Sequence, residues 1–141
     1  MKEIACYCGS QMNFNDCCRR YIDGTQKAPT ALALMRSRYS AYATHNADYL
    51  VATTHITTRD QHKKSDILDW SRSNQWIKLE VLQATDDTVE FKAYYLDSHM
   101  QKQIHHEHST FHMESGKWFY VDGEFYKFFL KSSRVLMQGT A

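Results

Sequence analysis

At 141 residues and a formal net charge of +1, the chain is long enough for one domain with a real core and too short for two large ones. The near-neutral balance excludes a nucleic-acid binder that works by bulk electrostatics, and no apolar run approaches the roughly 18 residues a membrane-crossing helix needs. A single Pro and five Gly, with plentiful aromatics, exclude a disordered chain.

All four cysteines lie at the start, as Cys6-Tyr7-Cys8-Gly9-Ser10 followed by Cys17-Cys18. This spacing brings four soft sulfur ligands together with little loop to close, which suits one tetrahedral zinc ion. Gly9 lets the backbone turn directly after the first pair. Two disulfides or free redox-active thiols are the other readings. Met1 to Ala5 lacks the apolar run of a secretory leader, so a reducing cytoplasmic setting and a structural zinc are expected. Four protein ligands close the shell and leave no position for a catalytic water. Arg19 and Arg20 follow the last cysteine, where they could donate to thiolate sulfur or simply be solvated.

Residues 22–27 form a polar connector that turns at Gly24, dividing a knuckle and linker over 1–27 from a main body over 28–141. Thr30 is placed to cap a helix that runs to about His45. Met35, Arg38, Tyr39 and Tyr42 share one face of it, so Arg38 must either snorkel outward or pair with an acid inside a cavity. Asn46 caps a second helix ending near His55, a polar loop spans 57–64, and a third helix covers about 65–72. The period then changes to two. Ile77, Leu79 and Val81 mark a strand over 75–83, and Val89, Phe91, Ala93 and Tyr95 a second. Gln103 to Met113 is a third, and a turn at Gly116-Lys117 leads into a fourth over 118–122. Helices followed by an antiparallel meander give an α+β domain with helices on one sheet face.

The cysteine pattern resembles the SEC-C motif, the small zinc-binding module also found at the C-terminus of the SecA translocation motor. Leu34-Met35-Arg36-Ser37-Arg38-Tyr39-Ser40-Ala41-Tyr42 and Trp118-Phe119-Tyr120-Val121-Asp122-Gly123 are similar to the YchJ-like family of small bacterial proteins. That resemblance implies a SEC-C knuckle joined to a nuclear transport factor 2-like cone, a curved sheet wrapped around the first helix with a pocket inside. It supplies no biochemical activity. Tyr7 stands where SEC-C motifs usually carry Pro, and residues 11–16 hold no lysine, which removes the basic handle for an acidic partner.

The third strand carries four of the eight histidines. His106, His108 and His112 share one face, read as solvated because neighbours on a strand face lie about 7 Å apart, too far to chelate one ion comfortably. His105, Glu107, Ser109, Phe111 and Met113 share the other face, which is read as inward. An inward Glu107 needs a partner, and Arg36, Arg38 and His55 are the candidates. With Tyr39, Ser109, Trp118 and Asp122 they form the candidate pocket. Residues 125–130 are densely aromatic and are expected to return over the core, whereas 138–141 should fray.

Two functions follow. One is a zinc-stabilised binding or adaptor protein whose knuckle is structural or docks a protein partner. The other is a small-ligand binder or enzyme that uses the cone, with Glu107 and His55 as acid–base groups. A deep cavity with convergent polar groups favours the second; a filled cone with an exposed patch around the knuckle favours the first.

Overall fold

The computed structural model describes residues 4–126. The aromatic segment after Tyr126 and the expected fraying at 138–141 lie outside the described residues. A 3₁₀ turn Phe14–Asp16 and a short helix α1 (Arg19–Ile22) belong to the cysteine region. Helices α2 (Ala31–Ala43), α3 (Ala47–Ala52) and α4 (Lys64–Ser73) precede strands β1 (Gln75–Ala84), β2 (Thr88–Leu96), β3 (Lys102–Glu114) and β4 (Lys117–Phe125). The strands form one antiparallel meander in the order β1-β2-β3-β4, so the α+β expectation holds. Among the described residues no helix is long and apolar enough to cross a membrane.

The helix starts follow from local chemistry. The Thr30 side chain accepts the Ala33 N–H at 3.0 Å, and Asn46 accepts that of Tyr49 at 3.1 Å. The face of α2 carrying Met35 and Tyr39 packs on Val89, Phe91 and Ala93 of β2 and on Phe111 and Tyr120, forming the main core. Ala41 and Tyr42 pack with Leu50 and Ile67 in a second cluster under α3 and α4.

Bulges give the sheet its curvature and also change which side chains face inward. In β1 the register shifts between Trp76 and Lys78, so Ile77 is exposed and Trp76 packs on the core instead. Alternation alone had placed Ile77 inside. In β4 the shift falls at Val121, because Thr110 pairs with Asp122 while Phe111 pairs with Tyr120. The extra residue keeps both Tyr120 and Gly123 on the inner side and leaves Asp122 opposite Thr110 on the other. β4 therefore runs past the expected end at Asp122 to Phe125, which is buried. The β3–β4 hairpin turns one residue earlier than expected, at Ser115-Gly116, where both φ angles are positive (55° and 78°).

Candidate functional sites

In the knuckle, Cys6, Cys8, Cys17 and Cys18 are all buried, and their four sulfurs lie within 4.8 Å of one another. The Cys8 and Cys17 sulfurs are 3.7 Å apart. Ligand bonds of about 2.3 Å in a tetrahedron require about 3.8 Å between sulfurs, so the donor set fits one metal ion. The sulfurs cannot all ionise by themselves. Hydrogen bonding to the Cys6 and Cys8 sulfurs, with burial added, pushes the Cys18 thiol far up, whereas bonds from Cys18 and Cys8 pull Cys6 down. Burial, the largest cause, raises Cys17 as well. A bound cation would relieve this conflict by favouring thiolate at every position. The four sulfurs would hold the ion, and a closed set of this kind supplies structure, not an activated water.

Of the two roles open to Arg19 and Arg20, the contacts fit surface residues and not donors to thiolate sulfur, and Arg19 is exposed. Arg19 donates to Asn15, and Arg20 donates to the Cys17 carbonyl at 3.1 Å and to Gln26, so the hydrogen bonds of both run to oxygen acceptors. The reason is geometric: both follow Cys18 on α1, where their side chains reach backbone and amide oxygens. Arg36 is also outside the cone; its guanidinium donates to the Cys8 carbonyl at 2.9 Å, clamping the knuckle to α2. The Cys6 sulfur meets the Ser40 hydroxyl of α2 at 3.6 Å, and Leu79 of β1 packs on the cysteine cluster. The knuckle is thus seated on the main body.

Inside the cone, Glu107 is 1 % exposed and is fully engaged. Its Oε1 accepts from His105 Nε2 at 2.7 Å, and its Oε2 accepts from the Ser109 hydroxyl at 2.5 Å and the Tyr120 hydroxyl at 2.9 Å. Burial alone would raise its pKa, but these three donors outweigh burial, and the carboxyl is held below its ordinary range. The inward face holds for His105, Glu107, Ser109 and Phe111, whereas Met113 near the strand end is exposed, and the partners of Glu107 differ from those expected. His105 is two residues away on the same strand face, so the partner comes from the same strand and not from a crossing helix. Arg38 is buried at 7 % exposure, so it does not snorkel. It donates to the Leu50 carbonyl at 2.9 Å and to Thr53 at 2.6 Å, and its guanidinium lies 4.5 Å from the centre of the Tyr120 ring. Arg38 and Glu107 therefore stand on either side of Tyr120, in cation–π contact with its face and in hydrogen bond with its hydroxyl.

The cavity at this centre is lined by Met35, Arg38, Tyr39, Tyr42, Phe91, Glu107, Ser109, Phe111 and Tyr120, and measures only about 20 Å³. That is room for about one water. Of the residues expected in the pocket, Arg36 and three others lie elsewhere. His55 leaves α3 toward the outer face, where it pairs with Glu114. Trp118 donates to the Pro29 carbonyl at 3.2 Å, beside a separate groove. Asp122 is turned outward by the Val121 bulge and accepts the Gly123 N–H.

Fold and site define the class: a nuclear transport factor 2-like cone with a four-cysteine knuckle docked on its central helix. The family described as "YchJ, middle NTF2-like domain" matches residues 30–123, and the chain belongs to this YchJ-like family. A UPF0225 protein of Photorhabdus laumondii is 41% identical over 125 residues, covering 84% of this chain and 79% of its own. One from Streptomyces coelicolor is 39% identical over 127 residues, covering 85% and 94%. The solution structure of a SEC-C motif containing protein from Rhodopseudomonas palustris is similar with a TM-score of 0.80 and 35% identity, covering 88% of this chain and all of that one. The crystal structure of another, from Psychrobacter arcticus, has a TM-score of 0.71 at 27% identity, covering 86% and 81%.

Proposed function

We propose that the protein is a non-catalytic binding or adaptor protein, stabilised by one zinc ion held by Cys6, Cys8, Cys17 and Cys18, with the knuckle presenting a surface to a protein partner. The observation that carries this reading is the contrast between a filled cone and an apolar knuckle exterior. The central cavity has room for about one water, and Glu107 has its donors already in place. On the knuckle, Ile4, Tyr7 and Met12 are exposed at 56%, 38% and 49%, an apolar rim beside a closed metal shell. The alternative, acid–base chemistry by Glu107 and His55, is disfavoured because the two side chains lie on opposite sides of the sheet.

Elemental analysis of protein from a reducing cytoplasm should give one zinc per chain, and its absence would remove the structural premise. In-cell crosslinking should then capture a partner through Tyr7 or Met12. A Tyr7→Ala/Met12→Ala chain that keeps its zinc should lose that partner. Equal capture by both chains would place the docking surface elsewhere.

A further inference from the structure

The pairing of His55 with Glu114 lies on the outer face of the sheet, across it from the Glu107 network. Here the chain brings a second set of metal-ligating groups together. His55, His112 and Glu114 each offer one ligand atom, and these atoms lie within 4.8 Å of one another. Residues 53–55 run beside the free edge of β4: the Tyr120 N–H donates to the Thr53 carbonyl, and the His55 N–H to the Tyr120 carbonyl, both at 2.8 Å. This fixes where His55 enters. His112 and Glu114 come from β3, two residues apart on one face, immediately before the tight Ser115-Gly116 turn. Their backbones are a strand repeat apart, but the side chains converge on His55, whose ring meets that of His112 edge-on at 5.3 Å and that of Phe119 at 5.7 Å.

We propose that His55, His112 and Glu114 form a second metal site, one that takes a divalent first-row transition ion and leaves coordination positions open. Two imidazoles and a carboxylate form a donor set suited to such ions, whereas the all-sulfur knuckle is suited to a closed structural site. The surroundings have the features of a ligand site. The far nitrogen of His55, Nδ1, sits 2.8 Å from the Thr57 hydroxyl and 3.2 Å from the Thr57 backbone nitrogen. With no ion, Nε2–H donates to Glu114 and Nδ1 accepts from Thr57. With an ion, Nε2 supplies its lone pair, the ring proton moves to Nδ1, and the Thr57 hydroxyl accepts it, while the Thr57 backbone N–H gives up its bond to Nδ1. His55 is buried while His112 and Glu114 are exposed, so one ligand is anchored and the ion's outer side faces solvent.

That outer side borders a hollow of about 340 Å³, lined by His55, Ile56, Arg59, Glu114, Ser115, Lys117 and Phe119. Arg59 is held there by donating to the Thr54 carbonyl at 2.9 Å, and Lys117 stands opposite Glu114 across the hairpin. Two cations beside an ion with open positions suit a small anionic co-ligand, a carboxylate or a phosphate.

The test uses the full chain with its cysteines saturated with Zn²⁺ and excess metal removed, titrated with Co²⁺ alone. Histidine ring signals in nitrogen-labelled protein report the position of the ion, which separates this site from the cysteines whatever the total metal content. The expected result is retention of Co²⁺ with paramagnetic broadening first at His55 and His112. His112→Ala and Glu114→Gln, both at exposed positions, should each weaken binding by about 10-fold or more while the metal-free chain still folds. Failure to retain Co²⁺ at millimolar concentration would overturn the proposal. So would equal retention by wild type and both variants, or broadening centred on His99, His106 or His108.

Discussion

The knuckle and the centre of the cone are both buried polar clusters, and they deal with the same penalty in opposite ways. Four sulfurs packed within 4.8 Å cannot all carry charge unless an external cation joins them. Glu107 is equally buried but is satisfied from within, by His105, Ser109 and Tyr120. One cluster is thus suited to completion by a cation, and the other is completed by the fold itself. A region that needs an outside ion can respond to its removal, whereas a self-contained network responds only to mutation or acid.

The largest effect should come from breaking the knuckle. Cys18→Ser should abolish stoichiometric metal and remove much of an apparent binding energy of about 10–16 kcal/mol, read by elemental analysis and by loss of ordered signals for residues 4–22. The polar connector over 22–27, taken alone, predicts an arm that melts by itself on chelation. The Arg36–Cys8 and Ser40–Cys6 contacts predict instead that the disturbance reaches α2. Hydrogen exchange along α2, with and without chelator, decides between the two, and protection unchanged at Arg36 to Ser40 would restore the separable arm.

Next in size is Gly123→Ala. A Cβ there would stand 2.0 Å from Glu107 Oε2 and 2.6 Å from its Cδ, against a side chain locked by three hydrogen bonds. Neither can yield without losing those bonds, so denaturant unfolding should show a loss of about 3 kcal/mol or more. In a double-mutant cycle, Gly123→Ala and Glu107→Ala should be strongly non-additive, because removing the carboxylate removes the clash.

Glu107→Gln should be milder. The amide oxygen can still accept from Ser109 and Tyr120, and only the bond with His105 must reverse, so a loss of about 1–3 kcal/mol is expected. This substitution also carries a pH signature. The folded-state pKa of Glu107 is depressed below its ordinary value of 4.5. Its stabilising contribution is therefore complete above that value and is lost as pH falls through the lower folded-state pKa. Wild type should lose stability on acidification below about pH 4.5, and the Gln variant should lack this part of the slope. Parallel acid profiles would refute the self-contained ionised network.

Smallest should be Tyr120→Phe, which keeps the ring against Arg38 and deletes one donor to Glu107. A loss of about 1–2 kcal/mol by thermal melting is expected, with metal content unchanged, since Tyr120 contacts Glu107, Arg38, Phe111 and His62 rather than the cysteines.

The sequence by itself determined what depends on near neighbours. Cysteines from Cys6 to Cys18 need only a short loop to meet, Thr30 and Asn46 cap the residues that follow them, and period-two alternation placed Glu107 inward with Phe111. Tertiary structure decided what depends on register and crossing elements. One extra residue at Val121 reversed Asp122 and brought Gly123 under Glu107, and a similar shift put Trp76 inside in place of Ile77. It also sent Arg36 to the knuckle, held Arg38 against Tyr120, and carried His55 across to His112 and Glu114. A bulge changes the facing of every residue beyond it, and a contact across dozens of residues is fixed by how whole elements pack, so neither is written in the local alternation of side chains.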